Sequence, residues 1–369
     1  MATHQFSRIL IIRLRQIGDV VFTTPAIRAL REKFPDAHLA YVVEPAAAAV
    51  VLDNPHLDDV IVAPRARGWR GLRDDLALAG RLRAGRYDLA IDFHGGPRAS
   101  LLTWLSAAPV RIGYDVVARG WMYTRRVARP RELRPRHSVE NQWDLLAALD
   151  VFDRAPPDRS AFPVEMTADA AAVAVVTERL ARAGVQADDP IVVLHVSAGN
   201  PFRRWPIAHF VALVEALVKD DPRRRIIITS GPSEHAAAER VIAEARATLQ
   251  ASADRVLSCG EFSLAELRAL LDRAALYIGG DSGPLHIAAT TRVPVVGLYG
   301  PTLPVRSAPW RSEQLITESV DAGELPCRPC DQRVCAPGDF RCLTSITPDE
   351  VFAAATRALG RSKDRPLRL

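Results

Sequence analysis

Short apolar runs alternate with amphipathic stretches along the whole chain. Residues 8–14 form a β-branched run typical of a buried parallel strand, and residues 38–43 and 87–93 repeat it. Between the first two runs, apolar residues at helical spacing follow Pro25 and stop at Pro35, which predicts a helix. Strand, turn and helix in repetition predict a parallel sheet with right-handed crossovers.

This alternation is interrupted once, near the middle of the chain. Residues 150–166 contain Pro156, Pro157 and Pro163 and no apolar periodicity, so we place a linker there. Further strands are predicted over residues 191–196, 225–230, 275–279 and 293–298, and further helices over 167–184, from Pro206, from the capping box Ser263–Glu266 and after Thr347. The pattern predicts an α/β protein of two Rossmann-like domains with doubly wound parallel sheets, over residues 1–160 and 161–369.

Composition supports two ordinary globular domains. The chain has 369 residues, 48% of them hydrophobic and 25% charged, which excludes disorder and a small disulfide scaffold. No window approaches the roughly 18–20 consecutive apolar residues of a membrane span. Because Arg13 and Arg15 interrupt the N-terminal apolar run, it does not resemble a signal peptide, and we expect a cytoplasmic protein.

The positive charge is concentrated in one stretch. Residues 111–136 carry eight arginines against Asp115 and Glu132, a local net charge of +6 in a chain whose total is +5. Such a stretch indicates binding to a polyanion or an anionic membrane surface. The alternative is a solvated loop.

The turns after the strands are the places to look for chemistry, because open parallel sheets bind ligands beyond the carboxyl ends of their strands. In the turn over residues 277–286, two glycines precede Asp281 and Ser282. We expect the backbone amides around Ser282 and Gly283 to cradle a diphosphate, with His286 on the same side. The alternative is a well-capped helix with a histidine in the core.

Two further turns carry charged groups. After residues 191–196 come Arg203 and Arg204, either of which could neutralise a phosphate leaving group; the alternative is a surface pair beside a packed Trp205. After the first strand comes Asp19, a carboxylate that could orient or deprotonate an attacking hydroxyl. The alternative for Asp19 is a helix N-cap.

Four of the five cysteines cluster near the C-terminus, at Cys327, Cys330, Cys335 and Cys342. The spacing suggests metal ligands, although it is not the paired motif of a zinc ribbon. A structural metal, redox-labile pairs and buried free thiols all remain open.

Taken together, these turns resemble the heptosyltransferases of glycosyltransferase family 9, over nearly the whole chain. The resemblance rests on the motifs ILIIRLRQIGDVVFTTPAIRAL, DLAIDFHGGPRASLL, RIGYD, HVSAGNPFRRWP, TSGPSEH and YIGGDSGPLHIAAT with VPVVGLYGPT. It implies a GT-B fold, two Rossmann-like domains facing across a cleft. The N-terminal domain would bind the acceptor and the C-terminal domain the nucleotide-sugar.

The resemblance also implies a reaction, the inverting transfer of a heptose from ADP-heptose to an inner-core sugar of lipopolysaccharide. The acceptor would be linked to lipid at the inner leaflet of the membrane, with the enzyme cytoplasmic or peripheral on that face. No nucleic-acid partner is implied. No catalytic metal is expected, because the donor turn has no DxD-like motif; a structural zinc at the cysteines is a separate expectation.

Residue roles follow from the same resemblance. Asp19 would be the catalytic base, and Arg203, where the family has a lysine, would stabilise the leaving diphosphate. Arg98, Arg125 and Arg126 are predicted to meet the acceptor or the membrane. The donor would be bound by Ser197, Ala198, Arg203, Glu234, Asp281, Ser282, Gly283 and His286.

Three other functions fit parts of the pattern. A nucleotide-sugar epimerase of the same fold would bind a similar donor but would need no acceptor. A non-catalytic sugar-nucleotide-binding protein would need no base at Asp19. A family member with another nucleotide-sugar or acceptor would share all of these motifs.

Overall fold

The computed structural model describes residues 6–65, 68–128, 136–196 and 200–363. The chain divides into two compact units, Met1–Thr167 and Ala168–Leu369. Each unit is built on its own parallel sheet of six strands. The division falls a few residues beyond the predicted boundary at residue 160.

The first unit has strand order β3-β2-β1-β4-β5-β6, and every neighbouring pair is parallel. Its strands are β1 (Arg8–Ile12), β2 (His38–Val43), β3 (Asp59–Val62), β4 (Leu89–Asp92), β5 (Val110–Asp115) and β6 (Arg125–Ala128). Its helices are α1 (Ile17–Val21), α2 (Thr24–Lys33), α3 (Pro45–Ala48), α4 (Gly68–Ala84), α5 (Pro97–Leu105) and α6 (Ser138–Leu146).

The second unit has strand order β12-β11-β10-β7-β8-β9, again parallel throughout. Its strands are β7 (Ile191–His195), β8 (Arg225–Thr229), β9 (Val256–Leu257), β10 (Leu276–Gly280), β11 (Val295–Tyr299) and β12 (Thr317–Asp321). Its helices are α7 (Ala170–Arg182), α8 (Ile207–Asp220), α9 (His235–Leu249), α10 (Leu264–Arg273), α11 (Gly283–Ala289), α12 (Pro304–Ser307), α13 (Arg341–Thr344) and α14 (Pro348–Lys363).

The two sheets have the same topology. When the second order is reversed, β7 takes the place of β1, and β10 takes the place of β4. Strand order reverses between β1 and β4 in one unit and between β7 and β10 in the other. The carboxyl ends of these strands are therefore where ligands bind in an open α/β sheet.

Continuous apolar strands and amphipathic helices make the cores. In the first unit, one side of the sheet packs against Leu78 and Leu82 of α4 and Leu102 of α5. In the second unit, one cluster joins the sheet to the apolar sides of α8, α9 and α14. Parallel strands covered by helices are buried on both faces, which explains why their sequences read as unbroken apolar runs.

The predicted linker belongs to the first unit. No helix or strand is present over residues 151–167. The backbone amide of Glu165 donates to Thr24 Oγ1, and Thr167 Oγ1 donates to the carbonyl oxygen of Asp53. These contacts fasten the segment to the body of the unit that precedes it.

Candidate functional site

Asp281 lies directly after β10 and is buried. Its carboxylate accepts a hydrogen bond from Thr302 Oγ1. His286 Nε2 lies 3.5 Å from one carboxylate oxygen, and Nη1 of Arg203 lies 3.6 Å from the other. The turn therefore holds a buried anion between two basic side chains, as a structured electrostatic cluster rather than a simple helix cap.

The side chains around Asp281 set its protonation state. Burial alone would raise its pKa, but the hydrogen bond and charge of His286, followed by Arg203 and Thr302, outweigh burial and lower the pKa to about 2. The carboxylate is ionised at neutral pH. It can hold the two basic groups in fixed positions for a ligand.

Arg203 connects three segments of the second unit. It ends a 3₁₀ turn over Pro201–Arg203, and its Nη1 donates to the carbonyl oxygen of Asp281 at 2.8 Å. Its Nε donates to Gln332 Oε1 at 2.8 Å, and Asn200 Nδ2 donates to the same oxygen at 2.7 Å. The guanidinium is thus positioned beside the turn that contains Asp281.

The helix after Asp281 begins with unused donors. Ser282 is the N-cap of α11, and Pro284 stands in its first turn. Among the described residues, the backbone N–H groups of Ser282 and Gly283 have no acceptor. Such N–H groups at a helix start favour a bound anion.

Glu234 and the residues after β7 complete the predicted donor set. Glu234 is buried at the start of α9, where it accepts a hydrogen bond from Ser233 Oγ at 2.5 Å, and Arg204 Nη2 lies 3.9 Å from it. Ser197 and Ala198 lie outside the described residues.

In the first unit, Asp19 is not the N-cap of α1. Gln16 has that position, and Asp19 is the third helical residue, with its carboxylate 3.4 Å from the backbone nitrogen of Gln16. The alternative of an N-cap aspartate is therefore wrong in detail, because the chain enters the helix three residues earlier. Its carboxylate forms an ion pair with Arg13, and its carbonyl oxygen accepts from Gln142 Nε2 at 3.4 Å.

Asp92 and His94 lie at the carboxyl end of β4, the neighbour of β1. Asp92 accepts hydrogen bonds from Tyr123 Oη at 2.6 Å and from the backbone amides of His94 and Gly95 at 2.8 and 2.9 Å. Burial raises the pKa of Asp92 despite these donors. Its role is to hold the loop that leads into α5.

His94 is neutral at physiological pH. Burial, and then the charge of Arg13, lower the pKa of His94 to about 4. Its Nδ1 lies 3.1 Å from the carbonyl oxygen of Arg15, an acceptor, so Nδ1 carries the ring proton. The ring thereby fixes the segment between β1 and Asp19.

These supporting residues were not predicted. Arg13 interrupts an apolar run directly after β1, and a charged residue at such a position is the signal that the sequence offered. Gln142 and Gln332 come from segments far along the chain, and no local pattern marks them. Thr302 ends the motif VPVVGLYGPT, but its contact with Asp281 was not predicted.

The arginines predicted to meet the acceptor or membrane also have protein partners. Arg98 lies 2.6 Å from Asp75 and 3.1 Å from Glu44, and so links α5 to α4. Arg125 donates to the carbonyl oxygen of Ala148 at 2.6 Å, and Arg126 lies 3.8 Å from Asp115. Part of the charge over residues 111–136 therefore stabilises the unit itself; Arg129, Arg131 and Arg134 lie outside the described residues.

The four clustered cysteines line one cavity of about 140 Å³, together with Arg328, Arg341 and apolar side chains. Burial and then the neighbouring cysteines raise the pKa of Cys342. Across the described ranges, no group of three or more histidine, cysteine or acidic side chains is arranged to hold a metal ion. All five thiols are free, and a structural zinc at the four clustered cysteines stays a prediction.

Comparison with known proteins identifies the family. Residues 76–336 match the family model described as glycosyltransferase family 9 (heptosyltransferase). The chain belongs to glycosyltransferase family 9. It is therefore a glycosyltransferase, as the motifs predicted, and not the epimerase that the fold alone left open.

Relatives of this family 9 chain match it over almost its full length. It is 28% identical to lipopolysaccharide heptosyltransferase 3 of Escherichia coli, over 95% of this chain and 98% of that one. It resembles the solved family 9 structure from Veillonella parvula with a TM-score of 0.82 and 24% identity, over 96% and 98% of the two chains.

A second solved relative was determined with a nucleotide. E. coli heptosyltransferase WaaC with ADP has a TM-score of 0.69 and 21% identity, over 95% of this chain and 99% of that one. These likenesses confirm the predicted GT-B fold class. Within the described ranges of this family 9 chain, no helix is both long and apolar enough to cross a bilayer.

Proposed function

We propose that this glycosyltransferase moves a heptose from ADP-heptose to a lipid-linked inner-core sugar of lipopolysaccharide, with inversion at the anomeric carbon. The second unit binds the donor and the first unit binds the acceptor. The proposal draws on the family, whose relatives include lipopolysaccharide heptosyltransferases, and on WaaC, which was solved with ADP. The reaction needs no catalytic metal in this proposal.

The observation that carries the donor assignment is the cluster around Asp281. Arg203 supplies positive charge, the imidazole of His286 lies beside the same carboxylate, and Ser282 and Gly283 supply unused backbone N–H groups. Together they suit a diphosphate whose negative charge increases as the sugar leaves. Glu234, two strands away at the end of β8, is the residue proposed to hold the ribose.

Asp19 is the proposed base. Its carboxylate takes the proton from an acceptor hydroxyl as that oxygen attacks the anomeric carbon of the heptose. The bond from this carbon to the diphosphate breaks on the opposite face, and ADP leaves with the electron pair. Arg203 stabilises the leaving group. The proton thus ends on Asp19, and the negative charge that develops on the diphosphate lies beside Arg203.

Arg13 and His94 are the proposed supports of this base. The ion pair with Arg13 fixes one carboxylate oxygen of Asp19, and His94 secures the segment before it through the carbonyl oxygen of Arg15. A carboxylate held in this way is preorganised for proton transfer.

The test is transfer to an acceptor without lipid. The purified chain is incubated with ADP-heptose and a lipid-free core oligosaccharide, and the products are examined by mass spectrometry and NMR. We expect ADP release with one heptose added and the anomeric configuration inverted. Use of another nucleotide-sugar in preference would remove ADP-heptose from the proposal, and donor breakdown without transfer would contradict it.

A further inference from the structure

The first unit exposes an apolar face that the proposed catalysis does not use. We define this apolar face by six side chains, Trp69, Leu72 and Leu76 of α4, Leu101 and Trp104 of α5, and Trp121 of the 3₁₀ turn Gly120–Met122. Trp69 is 86% exposed, and Leu72 and Leu76 are 52% and 62% exposed. Large side chains with this exposure on one helix are unusual for a protein surrounded by water.

The spacing on α4 separates this face from the core. Trp69, Leu72 and Leu76 follow one another at helical intervals on one side of the helix. Leu78 and Leu82 occupy the inner side and pack against the sheet. The helix is therefore apolar on two sides, and only its inner side packs against other apolar residues of the unit.

The three elements are neighbours. α4 and α5 contribute to the same core cluster and are joined by the ion pair between Asp75 and Arg98. Trp104 and Trp121 stack edge to face, with ring centroids 5.5 Å apart. The six side chains accordingly come from elements that contact one another in series, α4 with α5 and α5 with the 3₁₀ turn.

The tryptophans are distributed unequally. Of the six in the chain, the three that are exposed all lie on this apolar face. Trp143, Trp205 and Trp310 are buried. Tryptophan combines an apolar ring with a polar N–H and is enriched where a protein meets the boundary between water and lipid.

Arginines border the apolar face. Arg70, Arg73 and Arg83 of α4 are exposed, and they form no ion pair within the described ranges. A surface of tryptophan and leucine edged by unpaired arginines is complementary to anionic lipid headgroups above acyl chains. A second copy docked through the same face would bring identical arginines together, so like charges disfavour that occupant.

We propose that this apolar face of α4, α5 and the 3₁₀ turn docks the enzyme on an anionic membrane surface. Trp69, Leu72 and Leu76 enter the interface, and Arg70 and Arg73 contact lipid phosphates. The inference deepens the proposed function, since a lipid-linked acceptor is presented at such a surface. It also identifies membrane-binding residues outside the arginine-rich stretch over 111–136.

Vesicle sedimentation tests the docking face with the full chain. Vesicles of phosphatidylglycerol and phosphatidylethanolamine are compared with vesicles of phosphatidylcholine, over a series of salt concentrations. We expect binding to the anionic vesicles that weakens with salt, because arginine–phosphate attraction is screened. Leu72→Gln/Leu76→Gln should weaken binding by about tenfold or more, since two apolar side chains no longer enter the interface.

Val173→Gln/Val175→Gln on α7 is the matched control, because those valines are also exposed on a helix but belong to the second unit. Thermal unfolding checks that both double variants fold. Equal binding by the parent and the α4 variant would overturn the proposal, as would absence of binding by the parent. A parent dimer that the α4 variant converts to monomer would show that a second copy covers the face instead.

Transfer to the lipid-free acceptor separates this proposal from the proposed function. If the α4 variant loses vesicle binding but keeps that transfer, the docking face is supported independently of catalysis. If the parent binds vesicles through α4 but transfers no heptose, the proposed function fails while the docking face stands.

Discussion

Two carboxylates occupy equivalent places in the two sheets, but they bind different groups. Asp92 ends β4, and Asp281 follows β10, its topological counterpart. Asp92 accepts the backbone amides of its own loop, whereas Asp281 holds Arg203 and His286 and leaves the amides of Ser282 and Gly283 unused. The backbone N–H groups of the loop after β4 are hydrogen-bonded within the loop. Those of Ser282 and Gly283 after β10 are available to a ligand.

The fold provides both turns, and the side chains around them provide the difference in function. Both units place a glycine-containing turn at the carboxyl end of a central strand, which the parallel fold alone provides. The side chains around each turn decide whether it binds an anion. Basic groups at the second turn lower the pKa of its carboxyl to about 2, and at the first turn burial raises the pKa.

The largest expected effect concerns the base of the first unit. Asp19→Asn should lower kcat by about 10²–10⁴-fold, because the amide cannot take the proton of the acceptor hydroxyl. ADP affinity should stay unchanged, since the nucleotide is assigned to the second unit. Transfer kinetics and calorimetry measure the two effects, with the exposed Asp36→Asn as the matched control. Full turnover by Asp19→Asn would remove the assigned base.

The next effect concerns the cation of the second unit. Arg203→Ala should weaken ADP binding by about tenfold to a hundredfold, the worth of a charge-assisted hydrogen bond. Arg203→Lys should lie between alanine and the parent, because it keeps the charge but loses the planar fork. Calorimetric titration measures this series, and Arg182→Ala on α7 is the control. An ADP affinity independent of residue 203 would contradict the proposed diphosphate site.

The smallest effect is a difference in acid stability. Because the pKa of Asp281 is lowered in the folded state, its ionisation stabilises the fold above pH 3.8, and this stability is lost as pH falls toward 2. Asp281→Asn should therefore lower the free energy of unfolding by about 2 kcal/mol at pH 7, and by less near pH 2.

Asp92→Asn should show the opposite slope. Since burial raises the pKa of Asp92, its ionisation costs stability, and the variant should gain relative to the parent as pH rises through the acid range. Urea unfolding at several pH values measures both slopes. Parallel slopes for the two variants would contradict the contrast between these carboxylates.

Much of this arrangement could be predicted from local sequence. Apolar runs and capping signals located strands such as β2 and the capping box of Ser263 and Glu266, because these depend on residues within one turn or one strand. Asp281 and Arg203 became candidate site residues because they follow strands. Edge strands β3 and β6 were missed because their burial is partial. The helix α4 was missed because apolar residues on two of its sides obscure a single apolar stripe.

Residues that act through distant contacts could not be predicted. Gln332 reaches Arg203, and Gln142 reaches Asp19, from segments more than a hundred residues away in the chain. The second apolar side of α4 was equally hidden, because a pattern of apolar positions does not say which of them the fold covers. The cysteine spacing does bring four thiols to one cavity, and whether they hold a metal stays a prediction.

We propose that the second unit binds adenosine diphosphate (ADP). Calorimetric titration of the full chain with ADP, UDP, GDP and CDP tests it most directly, in one buffer and at one temperature. We expect selective binding of ADP, weakened in Arg203→Ala and unchanged in Asp19→Asn. Preferential binding of UDP or GDP, or binding of no nucleotide at all, would contradict it.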